Sequence, residues 1–533
     1  MTKRFLLKKL SRYNIGTFAD IILRNAILYP ESEAFIYNKE RISNSQYNSR
    51  VNKIIRALQK MGVSKGDVLG ILSWNCLQFA EFYGVTLKGG YIASPFNPGL
   101  KADELDYIIN YSEANSIFVG PELVNIVNTL RPRLLKVKNY ISLEGSAPDM
   151  ISYQDLLDSY SDAEPNIKVT EDDPVCIIYT SGTTGIPRGA LYNHRCFIDD
   201  ARTFALNVNA QRGDKYLQIK PLFHIAGNTW LRTFMYIGGC TIIHKSFNAL
   251  ATLNTIQDER VTHVNIVPTQ LIALLDVPNL NTYDMRSIKY IWYGGSPMPL
   301  EVLKRGLEAF GNIFGQGYGQ SESGPGITSM LKEDHDVLNK PEREQRHLLS
   351  VGKPDIGVQV RIVDDNNIDC EPNINGEIIV KSKHIMTGYW KKPEDTKNTI
   401  VDGWLHTGDI GYYDDKGYIY ITDRKKDMII TGGENVFSRE VEEVLYKHPA
   451  VLEAAVIGIP DNYWVEKVHA VIVVRKGEAT TSKEIIAFCK KHLAGYKAPK
   501  SVEFVDTLPK NAAGKILKKD LREKYWQEHV RKI

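Results

Sequence analysis

The chain has 533 residues, of which 43% are hydrophobic and 24% are charged, a composition typical of a globular protein large enough for several subdomains. Its net charge of +3 argues against a nucleic-acid-binding protein, and no apolar run is long enough to span a membrane. Six scattered cysteines without C-x-x-C spacing argue against a disulfide framework or a zinc site, so we expect a cytoplasmic protein.

The first part of the chain alternates helical and strand patterns. Apolar residues recur at helical spacing in residues 17–60, which predicts helix there. Predicted strands such as Val68–Leu72 and Ser116–Val119 then alternate with predicted helices such as Leu77–Lys88 and Leu300–Phe310. Because such alternation builds parallel sheets covered by helices, we expect that architecture here.

A loop rich in glycine and hydroxyl residues follows the predicted strand Val175–Ile178. Residues Tyr179–Gly189 include three glycines and four serine or threonine residues. Glycines let backbone N–H groups turn toward a ligand and hydroxyls add donors, so the loop suits the oxygens of a polyphosphate. A flexible linker is the alternative interpretation.

Further along the chain the pattern changes to short strands separated by turn residues. The runs Val358–Val363, Gly376–Val380 and Tyr418–Ile421 predict a small barrel or an antiparallel subdomain. The predicted helices Ser438–His448 and Ser482–His492 then flank strand patterns. That last segment is long enough to form a small α/β domain of its own.

Six segments resemble the signature motifs of the adenylate-forming (ANL) superfamily, in its acyl-CoA synthetase and fatty-acid–CoA ligase branch. Besides the glycine-rich loop they are Pro221–Gly227, Gln316–Glu322, Gly403–Asp409, Asp423–Asn435 and Pro509–Lys515, in the order of the family. Any one of these motifs alone is a weak signal, whereas six in order across the chain are a strong one.

The resemblance implies a fold and a domain organisation. We expect an α/β protein with a large N-terminal domain of two helix-covered, mostly parallel sheets plus a small β-barrel-like subdomain, followed by a small mobile α+β domain. The expected boundaries are an AMP-binding domain at 1–423, a hinge at 424–426 centred on Lys426, and a C-terminal domain at 427–533.

The resemblance also implies a reaction. ATP, with Mg²⁺, activates a carboxylic acid as acyl-AMP, and the acyl group then passes to coenzyme A. The implied catalytic residues are Lys515, which bridges carboxylate and α-phosphate, Ser321, which donates to the α-phosphate, and His224, a gate at the acyl pocket. Glu322 is both catalytic and the expected Mg²⁺ ligand, because a hard cation prefers oxygen.

The remaining site residues follow from the same motifs. The residues expected to bind the nucleotide are Thr180, Ser181, Gly182, Thr183, Thr184, Gly295, Ser296, Gln316, Gly317, Tyr318, Gly319, Asp409 and Arg424. Within that set, Asp409 is expected to accept from both ribose hydroxyls and Tyr318 to stack beside adenine. Gly432, Gly433 and Glu434 are expected to line the tunnel for the coenzyme A thiol.

Two positions depart from the family pattern. Arg188 stands where the family usually has lysine, so a planar fork replaces a point charge. Val465 precedes Glu466 where a Gly-Glu pair is frequent, which affects the expected geometry of that turn. Neither change bears on the class of reaction.

The acid is the least determined part of the prediction. The expected pocket segments contain the apolar residues Ile225, Ile266, Val267, Pro268 and Ile327, and no basic residue for a second carboxylate. A fatty acid of medium or long chain is the first expectation, and an aryl or cyclic acid is the second.

Other functions stay open as alternatives. They are a stand-alone adenylation enzyme that loads a carrier protein, a luciferase-like oxygenase and a nucleotide-binding regulator without activity. The expected partners are therefore the acid, ATP and coenzyme A, with no nucleic acid and no transmembrane segment. Weak peripheral membrane contact through the basic N-terminus and a homodimer remain compatible with the sequence.

Overall fold

The computed structural model describes residues 16–180, 187–424, 427–431, 434–461, 463–511 and 514–526, with backbone alone at 342 and 343. These residues form four sheets with helices packed on them. No helix among them is both long and apolar enough to cross a bilayer.

The largest sheet has nine strands in the described part of the chain. In spatial order they are Lys353–Pro354, Gly324–Met330, Phe314–Gln320, Tyr290–Gly294, His263–Ile266, Lys215–Gln218, Cys240–Ile243, Glu33–Tyr37 and Glu40–Ser43. Neighbours are parallel from Phe314–Gln320 to Glu33–Tyr37 and antiparallel at both edges. The carboxyl ends of the central strands therefore meet at one edge of the sheet.

A second sheet has eight strands. In spatial order they are Gly388–Tyr389, Arg188–Asn193, Pro174–Thr180, Ile92–Phe96, Val68–Leu72, Ser116–Val119, Asn139–Ser142 and Ile151–Ser152. It is parallel except at the edge formed by Arg188–Asn193 and Gly388–Tyr389. Strand Val68–Leu72 is buried throughout, as a parallel strand covered on both faces must be. The two sheets confirm the expected helix-covered, mostly parallel architecture.

The remaining two sheets are smaller. One is antiparallel, with strands Gln359–Val363, Gly376–Lys381, Trp404–Tyr413, Ile400–Val401 and Ile419–Arg424. It corresponds to the predicted antiparallel subdomain. The other contains Glu434–Val436, Ile429–Thr431, Val465–Val474, Val451–Asp461 and Ser501–Phe504.

Helices cover these sheets. In the described residues the α-helices are Phe18–Leu28, Asn44–Lys60, Leu77–Gly89, Ala102–Ser112, Val124–Leu130, Tyr153–Ser159, His194–Asn207, Ile225–Ile237, Ala249–Glu259, Pro268–Leu275, Leu300–Phe310, Glu342–Gln345, Pro393–Thr399, Ser438–Tyr446, Ser482–His492 and Lys518–Trp526. Short 3-10 helices occur at Pro121–Leu123, Arg131–Arg133, Leu280–Thr282, Lys332–His335 and Arg346–Leu349.

One stretch differs from the sequence-based expectation. Residues 17–60 form two helices, but a hairpin of Glu33–Tyr37 and Glu40–Ser43 lies between them. The short apolar run at residues 34–37 is too brief for periodicity to separate strand from helix. Pairing of Phe35 with Thr241 places the hairpin at the edge of the nine-stranded sheet, a contact that local sequence does not encode.

The C-terminal sheet has its own hydrophobic core and also contacts the larger part of the protein. Ile429, Val456 and Ile472 are among the buried residues of that core. The Arg439 guanidinium donates to the carbonyl oxygens of Leu349 at 3.1 Å and Ile421 at 2.9 Å. A separate core is what a small independent domain requires.

Candidate active site

Glycines bring strands close together where the nine-stranded sheet meets the expected nucleotide site. Gly317 and Gly319 lie on Phe314–Gln320, and Gly295 follows Tyr290–Gly294. A Cβ added at Gly319 would lie 2.4 Å from the Gly324 carbonyl oxygen, and one at Gly317 would lie 2.9 Å from the Trp292 ring. Gly295 has a φ of +83°, which favours glycine. These glycines therefore have a packing reason for being glycine.

Asp409 is fixed by two donors from different strands. It is 3% exposed, and its Oδ2 accepts from the Tyr318 hydroxyl at 2.7 Å. Its Oδ1 lies 3.1 Å from Arg424 Nε, because antiparallel pairing sets Asp409 opposite Arg424. The carboxylate raises the pKa of Arg424, and burial followed by this carboxylate raises the pKa of Tyr318. Each Asp409 oxygen keeps lone-pair capacity for a further donor.

Glu322 lies in the turn between Phe314–Gln320 and Gly324–Met330. Its Oε1 accepts from the Tyr389 hydroxyl at 3.0 Å, and its carbonyl accepts from the Met386 N–H at 2.9 Å. The Arg188 guanidinium carbon lies 4.5 Å from the centre of the Tyr389 ring. Arg188 therefore stacks on the ring that holds Glu322, a contact that a planar guanidinium makes well.

The carboxylate oxygens of Glu322 are suitable ligands for a magnesium ion. No cluster of three or more His, Cys, Asp or Glu side chains suited to a metal occurs in the described residues. Mg²⁺ needs none, because it is commonly held by one or two carboxylates together with substrate phosphates and water. Glu322 has a second oxygen, Oε2, for that purpose.

Two hydroxyl residues of the expected site, Thr180 and Ser321, lie where strands end. Thr180 ends strand Pro174–Thr180 opposite Arg188, and its Oγ1 is buried with no hydrogen bond among the described residues. Ser321 precedes Glu322, and its carbonyl oxygen accepts from the Tyr192 hydroxyl. An unpaired buried hydroxyl suits the oxygens of a ligand.

Lys515 lies near enough to His224 for its charge to act on the ring, although their sequence numbers differ by 291. His224 caps helix Ile225–Ile237, and its Nδ1 accepts from the Ala226 N–H at 3.3 Å. Burial, with the ammonium groups of Lys220 and Lys515 nearby, lowers the pKa of His224 to about 4. The ring is therefore neutral at pH 7 and carries its proton on Nε2.

A tight turn delivers Lys515 to that position. Gly514 has a φ of +81°, and a Cβ there would lie 3.1 Å from Val267 Cγ2 and 3.4 Å from Thr269 Oγ1. The Lys515 N–H donates to Asn511 Oδ1 at 2.9 Å, and the Asn511 N–H donates to the Lys515 carbonyl at 2.9 Å. The C-terminal loop thus packs against the start of helix Pro268–Leu275.

A basic residue that the expected pocket segments do not include lies near His224. Lys220, directly before the Pro221–Gly227 motif, is 3% exposed and close enough to His224 to affect its pKa. Sequence reasoning began the pocket at His224 and so omitted it. A lysine within an apolar strand end, after Leu217 and Ile219, was the signal available in the sequence.

Several predicted residues are not tested by this geometry. Ser181, Gly182, Thr183, Thr184, Lys426, Gly432 and Gly433 lie outside the described residues. Glu434 is exposed at the start of its strand and pairs with Thr431. Gln316 is buried on its strand, with an Oε1 that has no hydrogen bond among the described residues. Ser296 follows the carboxyl end of Tyr290–Gly294.

Comparisons with known proteins cover most of the chain. The family model described as AMP-binding enzyme matches residues 23–390, and that described as AMP-binding enzyme C-terminal domain matches residues 440–515. A feruloyl-CoA synthase of Amycolatopsis sp is 34% identical over 506 residues, which cover 94% of this chain and 98% of the relative.

Two further similar proteins have names that refer to other acids. A protein of Mycobacterium tuberculosis named long-chain-fatty-acid–CoA ligase FadD13 is 34% identical over 96% of this chain and 98% of its own length. A solved structure of the anthranilate CoA ligase AuaEII with anthranoyl-AMP superposes with a TM-score of 0.88 and 26% identity. That match covers 97% of this chain and 98% of the other.

Proposed function

Because the chain belongs to the AMP-binding enzyme family and is an AMP-forming acid–CoA ligase, we propose that it works by two half-reactions at the site around Lys515. In the first, a carboxylate oxygen of the acid attacks the α-phosphorus of ATP, and the bond to pyrophosphate breaks. In the second, the thiol of coenzyme A attacks the acyl carbon and AMP leaves. A Cβ at Gly514 would lie 3.1 Å from Val267 Cγ2, and this placement of the Lys515 loop is the observation that supports the first half-reaction.

We assign each residue the role that its motif implies and that its position supports. The Lys515 ammonium neutralises charge as two anions meet, which is the main obstacle to this displacement. Ser321 donates to the α-phosphate, and Asp409, held by Arg424, accepts from the ribose hydroxyls. Neutral His224 closes the acyl end without adding a further cation. Mg²⁺ would be held by Glu322 and would neutralise charge on the phosphate oxygens.

The second half-reaction requires Lys515 to leave, so we propose a domain rotation. The hinge is placed at 424–426, between an N-terminal domain at 1–423 and a C-terminal domain at 427–533. Gly432, Gly433 and Glu434 would then line the path of the thiol. The separate core of the C-terminal sheet supports this partition, since a body with its own core can move as a unit.

For the acid substrate we propose a class of compound and not a single molecule. The apolar residues Ile225, Val267 and Ile327 support a fatty acid of medium or long chain as the first candidate, with an aryl or cyclic acid as the second. A pantetheine on a separate carrier protein remains the alternative acceptor. Lys220 is a buried cation at this same end and bears on the acid, as argued in the next subsection.

An ATP–pyrophosphate exchange assay across a panel of acids tests the proposal. We expect acid-dependent exchange, and formation of a coenzyme A ester and AMP when coenzyme A is added. Glu322→Ala should depress exchange far more than acid binding, and excess chelator should abolish it. Absence of exchange with every acid, or full activity in chelator, would contradict the proposed reaction or the metal assignment respectively.

A further inference from the structure

Lys220 occupies a position that the rest of the fold holds rigidly. It follows strand Lys215–Gln218, whose carboxyl end lies at the edge of the sheet that carries the site. Its carbonyl oxygen accepts from Asn75 Nδ2 at 2.9 Å and from Gln218 Nε2 at 2.6 Å. Asn75 Oδ1 in turn accepts from the Leu222 N–H at 2.8 Å. The backbone is fixed on both sides of the lysine.

The ammonium group of Lys220 has no protein partner among the described residues, unlike the other buried cations there. Lys88, Lys220 and Arg232 are all buried. Lys88 Nζ lies 2.7 Å from Glu164 Oε2, and an Arg232 nitrogen lies 2.9 Å from Asp200 Oδ2. Burial of an unpaired charge is costly, and it lowers the pKa of Lys220 to about 7.

The surroundings indicate where a partner would come from. Lys220 and Lys515 both lie close enough to the His224 ring to lower its pKa. His224 is the proposed gate of the acyl pocket, and Lys220 lies four residues before it, just after the carboxyl end of strand Lys215–Gln218, so it is placed to meet an anion at that end of the site. A ligand is the natural source of the missing charge, because perturbed and unpaired groups of this kind concentrate at binding sites.

We propose that Lys220 binds a second carboxylate of the acid substrate, a few bonds from the carboxylate that reacts with ATP. The substrate class is then a dicarboxylic acid with its two carboxylates close together. This inference rests on the proposed function, since it assigns one more contact in the same acyl site. It replaces the expectation of a tail that is apolar from the carboxylate onward.

Matched acids and three variants test the inference. Butanedioate is compared with butanoate, and benzene-1,2-dicarboxylate with benzoate, by kcat/KM for pyrophosphate exchange. We expect the wild-type protein to prefer the dicarboxylate, and Lys220→Met to reduce that preference about 10- to 150-fold, the range of a hydrogen bond to a charged group. Lys220→Arg, which keeps the charge, should restore part of it.

Lys215→Met provides the matched control. Lys215 begins the strand that Lys220 follows, but it is partly exposed and its Nζ lies 3.2 Å from Glu259 Oε2. Its loss should leave the acid preference unchanged. Thermal unfolding of Lys220→Met supplies a readout besides activity: because the variant removes an uncompensated buried charge, its melting temperature should equal or exceed that of wild type.

Each other outcome has a distinct meaning. Equal loss with both acids of a pair would place Lys220 on the reacting carboxylate and overturn the inference. An unchanged preference in Lys220→Met, or a wild-type preference for the monocarboxylates, would overturn it as well. Exchange with monocarboxylates alone would leave the proposed function standing, whereas no exchange with any acid would remove both.

Discussion

The two ends of the proposed active site differ in how their charged groups are paired. At the nucleotide end the Asp409 carboxylate is paired within the protein, by the Tyr318 hydroxyl at 2.7 Å and Arg424 Nε at 3.1 Å. At the acyl end Lys220 is buried without a carboxylate partner among the described residues, beside a neutral His224. The first end is complete before a ligand arrives, whereas the second has positive charge that an anion can meet.

Because of this difference, we expect substitutions at the two ends to differ in their effects on folding stability and on catalysis. Removing a member of the paired end strands its partners, so both folding and nucleotide binding should suffer. Removing a cation from the acyl end should impair the reaction of two anions while leaving the fold intact. Variants at each end therefore test whether the contrast is real.

The largest effect is expected at Lys515. Its charge is needed when carboxylate attacks phosphate, so Lys515→Ala should reduce acid-dependent ATP–pyrophosphate exchange about 10²–10³-fold. Supplied with preformed acyl-adenylate and coenzyme A, the same variant should still form much of the thioester. Both half-reactions are measured separately, with thermal unfolding as the check on folding.

A neighbouring lysine serves as the control for that variant. Lys510 lies in the same loop, but its Nζ forms an ion pair with Glu453 Oε1 at 2.6 Å. Lys510→Ala should leave exchange near the wild-type rate. Exchange that persists in Lys515→Ala, or a parallel fall of both half-reactions in a folded variant, would refute the two-conformation mechanism.

At the paired end, Asp409→Ala should raise the apparent KM for ATP. Losing a hydrogen-bonded charged acceptor costs roughly 1.5–3 kcal/mol, which is about 10- to 150-fold in binding. It should also lower the free energy of unfolding, because Arg424 and Tyr318 lose their partner. The ATP dependence of exchange and denaturant unfolding measure the two effects.

Asp409→Asn keeps the shape and removes the charge, so it should lie between wild type and Asp409→Ala in both measurements. An unchanged ATP dependence in Asp409→Ala would remove this residue from the ribose role. A loss of ATP binding without any loss of stability would contradict the contrast drawn between the two ends.

Long periodic elements could be predicted from the sequence with accurate bounds. Helices Leu300–Phe310 and Ser482–His492 begin and end where the pattern places them, as does strand Val68–Leu72. The Glu33–Ser43 hairpin could not be predicted, because its four-residue apolar run is ambiguous and its partner strand, Cys240–Ile243, is distant in sequence.

The site divides in the same way. Asp409 and Arg424 were named from motifs, yet their contact depends on the register of two antiparallel strands. The place of Lys220 in an apolar run was a signal in the sequence, but its burial and the hydrogen bond from Asn75, 145 residues away, to its carbonyl oxygen could not be predicted. Burial is a property of the assembled fold, so a lysine in an apolar run carries little meaning until its neighbours are known.

His194 is a buried histidine whose surroundings favour the neutral form of its ring. Its Nδ1 accepts from the Phe18 N–H at 3.3 Å, and burial lowers the pKa of His194 to about 3. Below pH 6.5 the unfolded state binds a proton that the folded state excludes, so stability falls as the pH falls toward 3. His194 therefore stays neutral over the pH range in which Lys220, with a pKa of about 7, still carries a proton in part of the population.

His194→Asn tests that linkage, because Asn Oδ1 can take the place of Nδ1 as an acceptor. Between pH 7 and pH 5 the wild type should lose about 2 kcal/mol of unfolding free energy more than the variant, from one proton over this window. Denaturant unfolding at several pH values measures the difference. Identical pH slopes would show that His194 does not resist protonation.

The smallest effect is expected at Val465. Its contribution concerns backbone strain, not the charge pairing that distinguishes the two ends of the proposed site. Val465 has a φ of +70°, which a β-branched residue adopts at a cost of about 1–3 kcal/mol, and it is 70% exposed. It pairs with Thr431, so the turn geometry that a glycine would favour is kept despite the valine. Val465→Gly should raise the free energy of unfolding by about 1 kcal/mol, since relief of strain exceeds the roughly 0.5–1 kcal/mol that glycine costs in chain entropy. Val465→Thr, still β-branched, should be neutral, and exchange activity should not change in either variant. Destabilisation by glycine would mean that contacts of the valine side chain outweigh its strain.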